Sequence, residues 1–120
     1  MSTLTPVVDG HNDLPWEMRS VGYDFDRRDI STPQPMMQTD LPRIRAGGLA
    51  AQFWSVFVPC RMTGQDAVTA TLEQIDAVYQ MIERYPDDLA LVTSAEGLAS
   101  SIERYLASTG RGPVASLMGA

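Results

Sequence analysis

His11, the sole histidine of the chain, and Asp13, a carboxylate two residues on, are the residues whose types and spacing could do chemistry. Side chains at i and i+2 of an extended segment point the same way, so an imidazole nitrogen and a carboxylate oxygen can converge on one cation. Zinc takes these donor types, and an open catalytic zinc site needs at least one more protein ligand than the pair supplies. The expectation is half of a metal site, with the other ligands coming from elsewhere. Taken alone, His-x-Asp is equally consistent with a solvated turn in which Asn12 and Asp13 bond the local backbone. An EF-hand reading fails, because the chain has Leu14 and Ser20 where that loop needs glycine and glutamate.

Other reactive-looking residues have plainer readings. Cys60 beside Arg61 could be an activated thiolate, but it follows a buried-looking strand and free cysteines behave as small hydrophobes. Asp24 to Asp29 mixes both signs of charge and reads as a solvated, self-screening surface. Trp16 and Trp54 read as core before pocket lining, and Met36-Met37 as cover for an apolar seam. Gly47-Gly48 is too little to cradle a phosphate, and no Gly-x-Gly-x-x-Gly or Walker loop is present.

The elements that must position the pair follow from pattern. Pro6-Val7-Val8 is a brief β-prone run that Asp9-Gly10 ends, so His11 and Asp13 sit where a strand gives way to a loop. Residues 20–38, with Gly22, Pro33 and Pro35, read as a loop. Thr39-Asp40 caps a short helix that Pro42 starts and Gly47-Gly48 stops. Leu49 to Val58 is nearly continuous apolar sequence, interrupted by Gln52 and Ser55, and predicts a strand covered on both faces. A Thr63-x-x-Asp66 start precedes apolar positions Val68, Leu72, Ile75, Val78, Tyr79 and Ile82 at helical spacing, up to Arg84 and Pro86. After a short apolar piece at Leu89 to Val92, a capping box Thr93-Ser94-Ala95-Glu96 opens a helix with Leu98, Ile102, Tyr105 and Leu106 inward, ended by Gly110 at C′. Pro113 to Met118 predicts a last strand. Strand, helix, strand, helix, strand implies a parallel sheet with right-handed crossovers.

Composition sets the frame. With 120 residues, 44% hydrophobic and 20% charged, the chain is a folded, single-domain sequence. A net charge of −6, with all nine positive charges arginine, leaves no basic footprint for nucleic acid. Cys60 is the lone cysteine, so no intrachain disulfide and no cysteine-based zinc knuckle is possible within these residues. The Met1 to Pro6 start lacks the basic and apolar regions of a secretory signal, and no apolar run approaches the roughly 20 residues of a membrane span, so a cytoplasmic location is expected.

Three blocks carry a specific resemblance: Val8-Asp9-Gly10-His11-Asn12-Asp13-Leu14-Pro15-Trp16, then Thr39 to Gly48, then Ala51-Gln52-Phe53-Trp54-Ser55-Val56-Phe57-Val58-Pro59. Together with Thr71 to Asp76 and Val114 to Gly119, they resemble the amino-terminal blocks of the membrane dipeptidase (renal dipeptidase) family of zinc peptidases. The likeness implies an α/β fold, a partial (β/α)8 TIM-type barrel of the metallo-dependent hydrolase class, of which this would be about the first three strand-helix units. It implies zinc-dependent hydrolysis of dipeptides, with tolerance for a D-residue at the carboxyl-terminal position, and a centre of two Zn2+ ions in which His11 and Asp13 ligate one. No other catalytic residue is assigned. The family's bridging glutamate would come next after Ala120 and its later histidines further on, so residues 1–120 are expected to be a single incomplete domain, catalytically silent alone, with 20–38 a variable loop. A dipeptide is the expected partner, with a homodimer of the intact protein also carried forward. Two rival readings stand beside this one: a non-catalytic α/β module pairing through an exposed strand edge, and another amidohydrolase-type metal hydrolase.

Overall fold

The computed structural model describes residues 4–120; Met1 to Thr3, part of the start read for a secretory signal, lie outside them. Four strands, β1 (Val7–Asn12), β2 (Leu49–Ser55), β3 (Leu89–Leu91) and β4 (Val114–Gly119), form one parallel sheet in the order β1-β2-β4-β3. The helices are α1 (Leu14–Arg19), α2 (Leu41–Ala46), α3 (Gly64–Arg84) and α4 (Ala95–Ala107). The apolar piece near Leu89 is thus a fourth strand, too short to show a period in sequence and recognisable only by its pairing with β4. From β2 the chain passes through α3 to the sheet edge, then returns through α4 to lay β4 between β2 and β3. Right-handed crossovers running in opposite directions put their helices on opposite faces of a sheet.

Two apolar clusters agree with that. Trp54 of β2 and Val114 of β4 pack with Leu14 and Met18 of α1 and with Val78 and Met81 of α3. Ala51 and Ala115, whose side chains alternate to the other face, pack with Val92, Leu98 and Leu117 beneath α4. The expected two-sided burial of β2 is observed. Residues 20–38 contain no helix or strand, yet Phe25, Ile30 and Met37 plug into the larger cluster. Met37 covers an apolar seam as expected, whereas Met36 is 91% exposed.

The caps and faces differ in detail from the periodic reading. Asp40 caps α2 through the Arg43 N–H as anticipated. On α4 the cap is Ser94, whose hydroxyl accepts from Gly97 N–H at 3.0 Å, one residue later than the Thr93 box. Thr63 stands at the α3 N-cap but its side chain accepts nothing. On α3 the buried line is Ala70, Gln74, Ala77, Val78 and Met81, while Val68, Leu72 and Tyr79 are exposed. The helix is turned so that small residues face inward and Gln74, bonded to Tyr23 Oη and the Phe57 carbonyl, can be buried. Among the described residues, no helix is long and apolar enough to cross a membrane.

Candidate metal centre

The pair sits at the carboxyl end of β1, where open parallel sheets place their ligands. Along β1 and β2 the register runs Val7 with Leu49, Val8 with Ala51, Asp9 with Gln52 and Asn12 with Trp54. The first step gives β2 an extra residue and the last gives β1 one, so the second irregularity undoes the first. The β1 bulge falls at Gly10–His11, and bulges bend a strand and re-aim its side chains. Strand β1 ends at Asn12 and leads through Asp13 straight into α1, a six-residue helix where a loop was expected.

His11 Nε2 and Asp13 Oδ1 lie 3.0 Å apart, with 65% and 54% of their side chains exposed. Two ligands of a tetrahedral zinc stand about 3.3 Å apart when each bond is about 2.0–2.1 Å. The donors therefore fit a common ion after a shift of a few tenths of an ångström. Asp13 is the N-cap of α1, yet its carboxylate accepts no helix N–H. Asn12 takes that duty, its Oδ1 accepting from Leu14 N–H at 3.0 Å. Asp9 Oδ1 accepts from the His11 backbone N–H at 3.2 Å.

Around the pair opens a cleft of about 310 Å³ lined by Asp9, Asn12, Leu14, Glu17, Gln38 and Thr39 besides the two donors. Three carboxylates with no lysine or arginine in the lining give a cleft that favours a cation. Among the described residues no three His, Cys, Asp or Glu side chains converge closely enough to hold a metal ion. Within the described residues the candidate donors are therefore the pair His11 and Asp13. Cys60 lies outside the cleft and is exposed in a turn, not buried at a strand end as its position suggested, because β2 stops at Ser55. Trp54 is core. Trp16 is half-buried, edge-on to Phe57 with ring centroids 5.4 Å apart.

Two polar residues to which motif reading gave no role at the site, Thr39 and Gln52, hold the Asn12 side chain. Asn12 Nδ2 donates to Thr39 Oγ1 at 2.8 Å and to Gln52 Oε1 at 3.3 Å. Gln52 Nε2 donates to the Asp9 carbonyl at 3.2 Å and the Phe53 carbonyl at 3.1 Å. The segment bearing Thr39 is anchored by Asp40, which accepts from Gln34 N–H, Arg43 N–H and Arg43 Nε. Burial alone would raise the Asp40 carboxyl, but those bonds and the guanidinium charge outweigh it and hold its pKa below the usual aspartate value. The sequence signal was present in Gln52, a polar residue in the middle of a largely apolar strand.

A sequence model of the family described as "Membrane dipeptidase (Peptidase family M19)" matches residues 1–119. The chain belongs to that family. Dipeptidase 3 of Rattus norvegicus is 45% identical over 97 residues, which are 80% of this chain and 20% of that protein. The chain thus spans about a fifth of the length of that relative. Among solved structures, the dipeptidase AC, a metallopeptidase of family M19, superposes with a TM-score of 0.70 at 20% identity over 96% of this chain and 34% of that one. A metallopeptidase from Rhodobacter sphaeroides, liganded with a phosphinate mimic of the dipeptide L-Ala-D-Ala, gives 0.70 at 18% identity over 96% and 37%. The parallel α/β sheet that the sequence pattern implied is thus part of the TIM-barrel-like fold of the M19 metallopeptidases, as the family resemblance implied.

Proposed function

We propose that this M19 chain contributes to a zinc-dependent dipeptidase, with His11 and Asp13 as two of its metal ligands. The observation that carries the reading is the approach of His11 Nε2 to Asp13 Oδ1 at 3.0 Å in an open, acidic cleft at a strand end. Family membership supports a metal-dependent hydrolase acting on peptides. Bound there, zinc would supply Lewis acidity toward a peptide carbonyl and bring the pKa of a water near neutrality.

The chain's own residues prepare that site. Asp13 keeps its carboxylate for the cleft because Asn12 caps α1 in its place. His11 is held at its backbone by Asp9 and presents Nε2 outward. The carboxylates of Asp9 and Glu17 add negative potential without joining the pair. Because two donors are one fewer than an open catalytic zinc site uses, the isolated 120 residues are expected to turn over no dipeptide.

The substrate expected is a dipeptide, including one with a D-residue at its carboxyl end. Hydrolysis of L-Ala-L-Ala and L-Ala-D-Ala by the full-length polypeptide, followed by ninhydrin or mass spectrometry, tests this. Turnover should vanish on chelation, return with Zn2+, and be absent from H11A and D13A. Turnover that survives exhaustive chelation would exclude the metal reading.

A further inference from the structure

Gln52 is 0% exposed, yet it lies in a strand whose other buried members are mostly alanine and tryptophan. A carboxamide is buried at a cost unless its hydrogen bonds are made. Its place in the ladder explains what it does. It pairs with Asp9, the last residue of β1 in register before the bulge at Gly10–His11. A bulge interrupts the backbone ladder and bends its strand. Beside it the Gln52 side chain reaches across to β1, donating to the Asp9 carbonyl at 3.2 Å and to the Phe53 carbonyl of its own strand at 3.1 Å.

Those two bonds use both hydrogens of Nε2, so the amide cannot turn over and Oε1 must face Asn12. Asn12 Nδ2 donates to it at 3.3 Å and to Thr39 Oγ1 at 2.8 Å, while Asn12 Oδ1 receives Leu14 N–H at 3.0 Å. Asn12 stands between His11 and Asp13 in sequence. Fixing its side chain on three sides fixes the backbone from which both donors leave. Outer-shell groups that orient metal ligands typically change metal affinity by about 10–100-fold when they are removed.

We propose that Gln52 is a positioning residue for the metal-binding pair: its buried carboxamide holds the bulge in β1 and, through Asn12, sets the direction in which His11 and Asp13 present their donors. The inference rests on the metal reading above and adds to it a residue that touches no metal.

Cobalt titration of the full-length polypeptide tests it, because the visible d–d absorption of Co2+ reports the number and arrangement of its ligands. H11A should lose the protein-bound cobalt spectrum. Q52L, which keeps the size and removes the amide, should bind Co2+ about 10–100-fold more weakly and with an altered band shape. T39V, isosteric and lacking the other acceptor of Asn12 Nδ2, should show a loss in the same direction. Circular dichroism and thermal midpoints in EDTA separate these effects from unfolding. Should Q52L unfold, T39V decides, since wild-type affinity and spectrum in a folded T39V overturn the proposal. So does a folded Q52L with wild-type affinity and spectrum while H11A binds no cobalt. A folded H11A that binds cobalt as the wild type does sinks the metal reading itself, and this proposal with it.

Discussion

At the start of α1, two neighbouring residues divide what one side chain usually does. An N-cap aspartate ordinarily accepts from the N–H of the second or third helical residue. Here Asn12 accepts from Leu14 N–H, and the Asp13 carboxylate is left to His11 and the cleft. Tyr85 shows the converse, a titratable group committed wholly to structure. Its hydroxyl donates to Asp29 Oδ1 at 2.8 Å and accepts from Ile30 N–H at 3.3 Å, pinning the loop to the end of α3. Burial first, and the Asp29 bond second, push the phenol from 10.0 up to about 12. The fold therefore favours neutral Tyr85, so its contribution is complete below pH 10 and is lost as pH rises from 10 toward about 12. Urea unfolding across that window should show a steeper alkaline loss for the wild type than for Y85F. At pH 7, Y85F should cost about 1–2 kcal/mol, since Asp29 and Ile30 N–H each lose a partner. Parallel alkaline slopes for the two proteins would refute the assignment.

Elements carry their own strain. Helix α4 ends with Gly110 N–H on the Tyr105 carbonyl at 2.8 Å and Thr109 N–H on the Leu106 carbonyl at 3.1 Å. That is a Schellman ending, and it puts Thr109 rather than Gly110 at C′, with φ +60°. A β-branched residue pays for the left-handed region sterically. T109G should therefore raise unfolding free energy by about 0.5–1 kcal/mol, the strain relieved being partly offset by glycine's looser unfolded chain. Equal or lower stability by urea melts would show that Thr109 is at ease there. The same helix shows what the sequence made legible. Its existence and inward Tyr105 follow from period, but which of Thr93 and Ser94 caps it does not, because two adjacent hydroxyls offer the same signal and packing chooses. Likewise Val78 and Ile75 of α3 face the core as their spacing requires, while Val68 and Leu72 do not. Gln74, bonded to Tyr23 and the Phe57 carbonyl, turns the helix by a tertiary contact that no local period contains.

For the molecule as a whole, the site's two halves differed in legibility for one reason. His11 and Asp13 are two residues apart and could be read as a motif, whereas Gln52 and Thr39 reach Asn12 only through strand register and the return of the loop. Register also decides the sheet's edges. Among the described residues β1 and β3 flank the sheet with no further strand beside them. The body is a slab, 52 × 31 × 22 Å, and its radius of gyration of 14.7 Å exceeds the about 13.6 Å of a compact chain of this size. Val7, Val8 and Leu91 on the two edge strands are 45%, 48% and 43% exposed. Natural edges are usually blunted by lysine, proline or a covering segment, and β3, Leu-Ala-Leu, has none of these within it. The isolated 120 residues should therefore associate through these edges, sedimenting as species larger than a monomer at about 100 μM. L91K, which puts a charge on the β3 edge without touching the core, should shift the distribution toward monomer and leave the far-ultraviolet circular dichroism unchanged. A wild-type chain that stays monodisperse and monomeric at that concentration would mean that the edges are protected by the slab's own twist and side chains, and that pairing needs more than an open ladder.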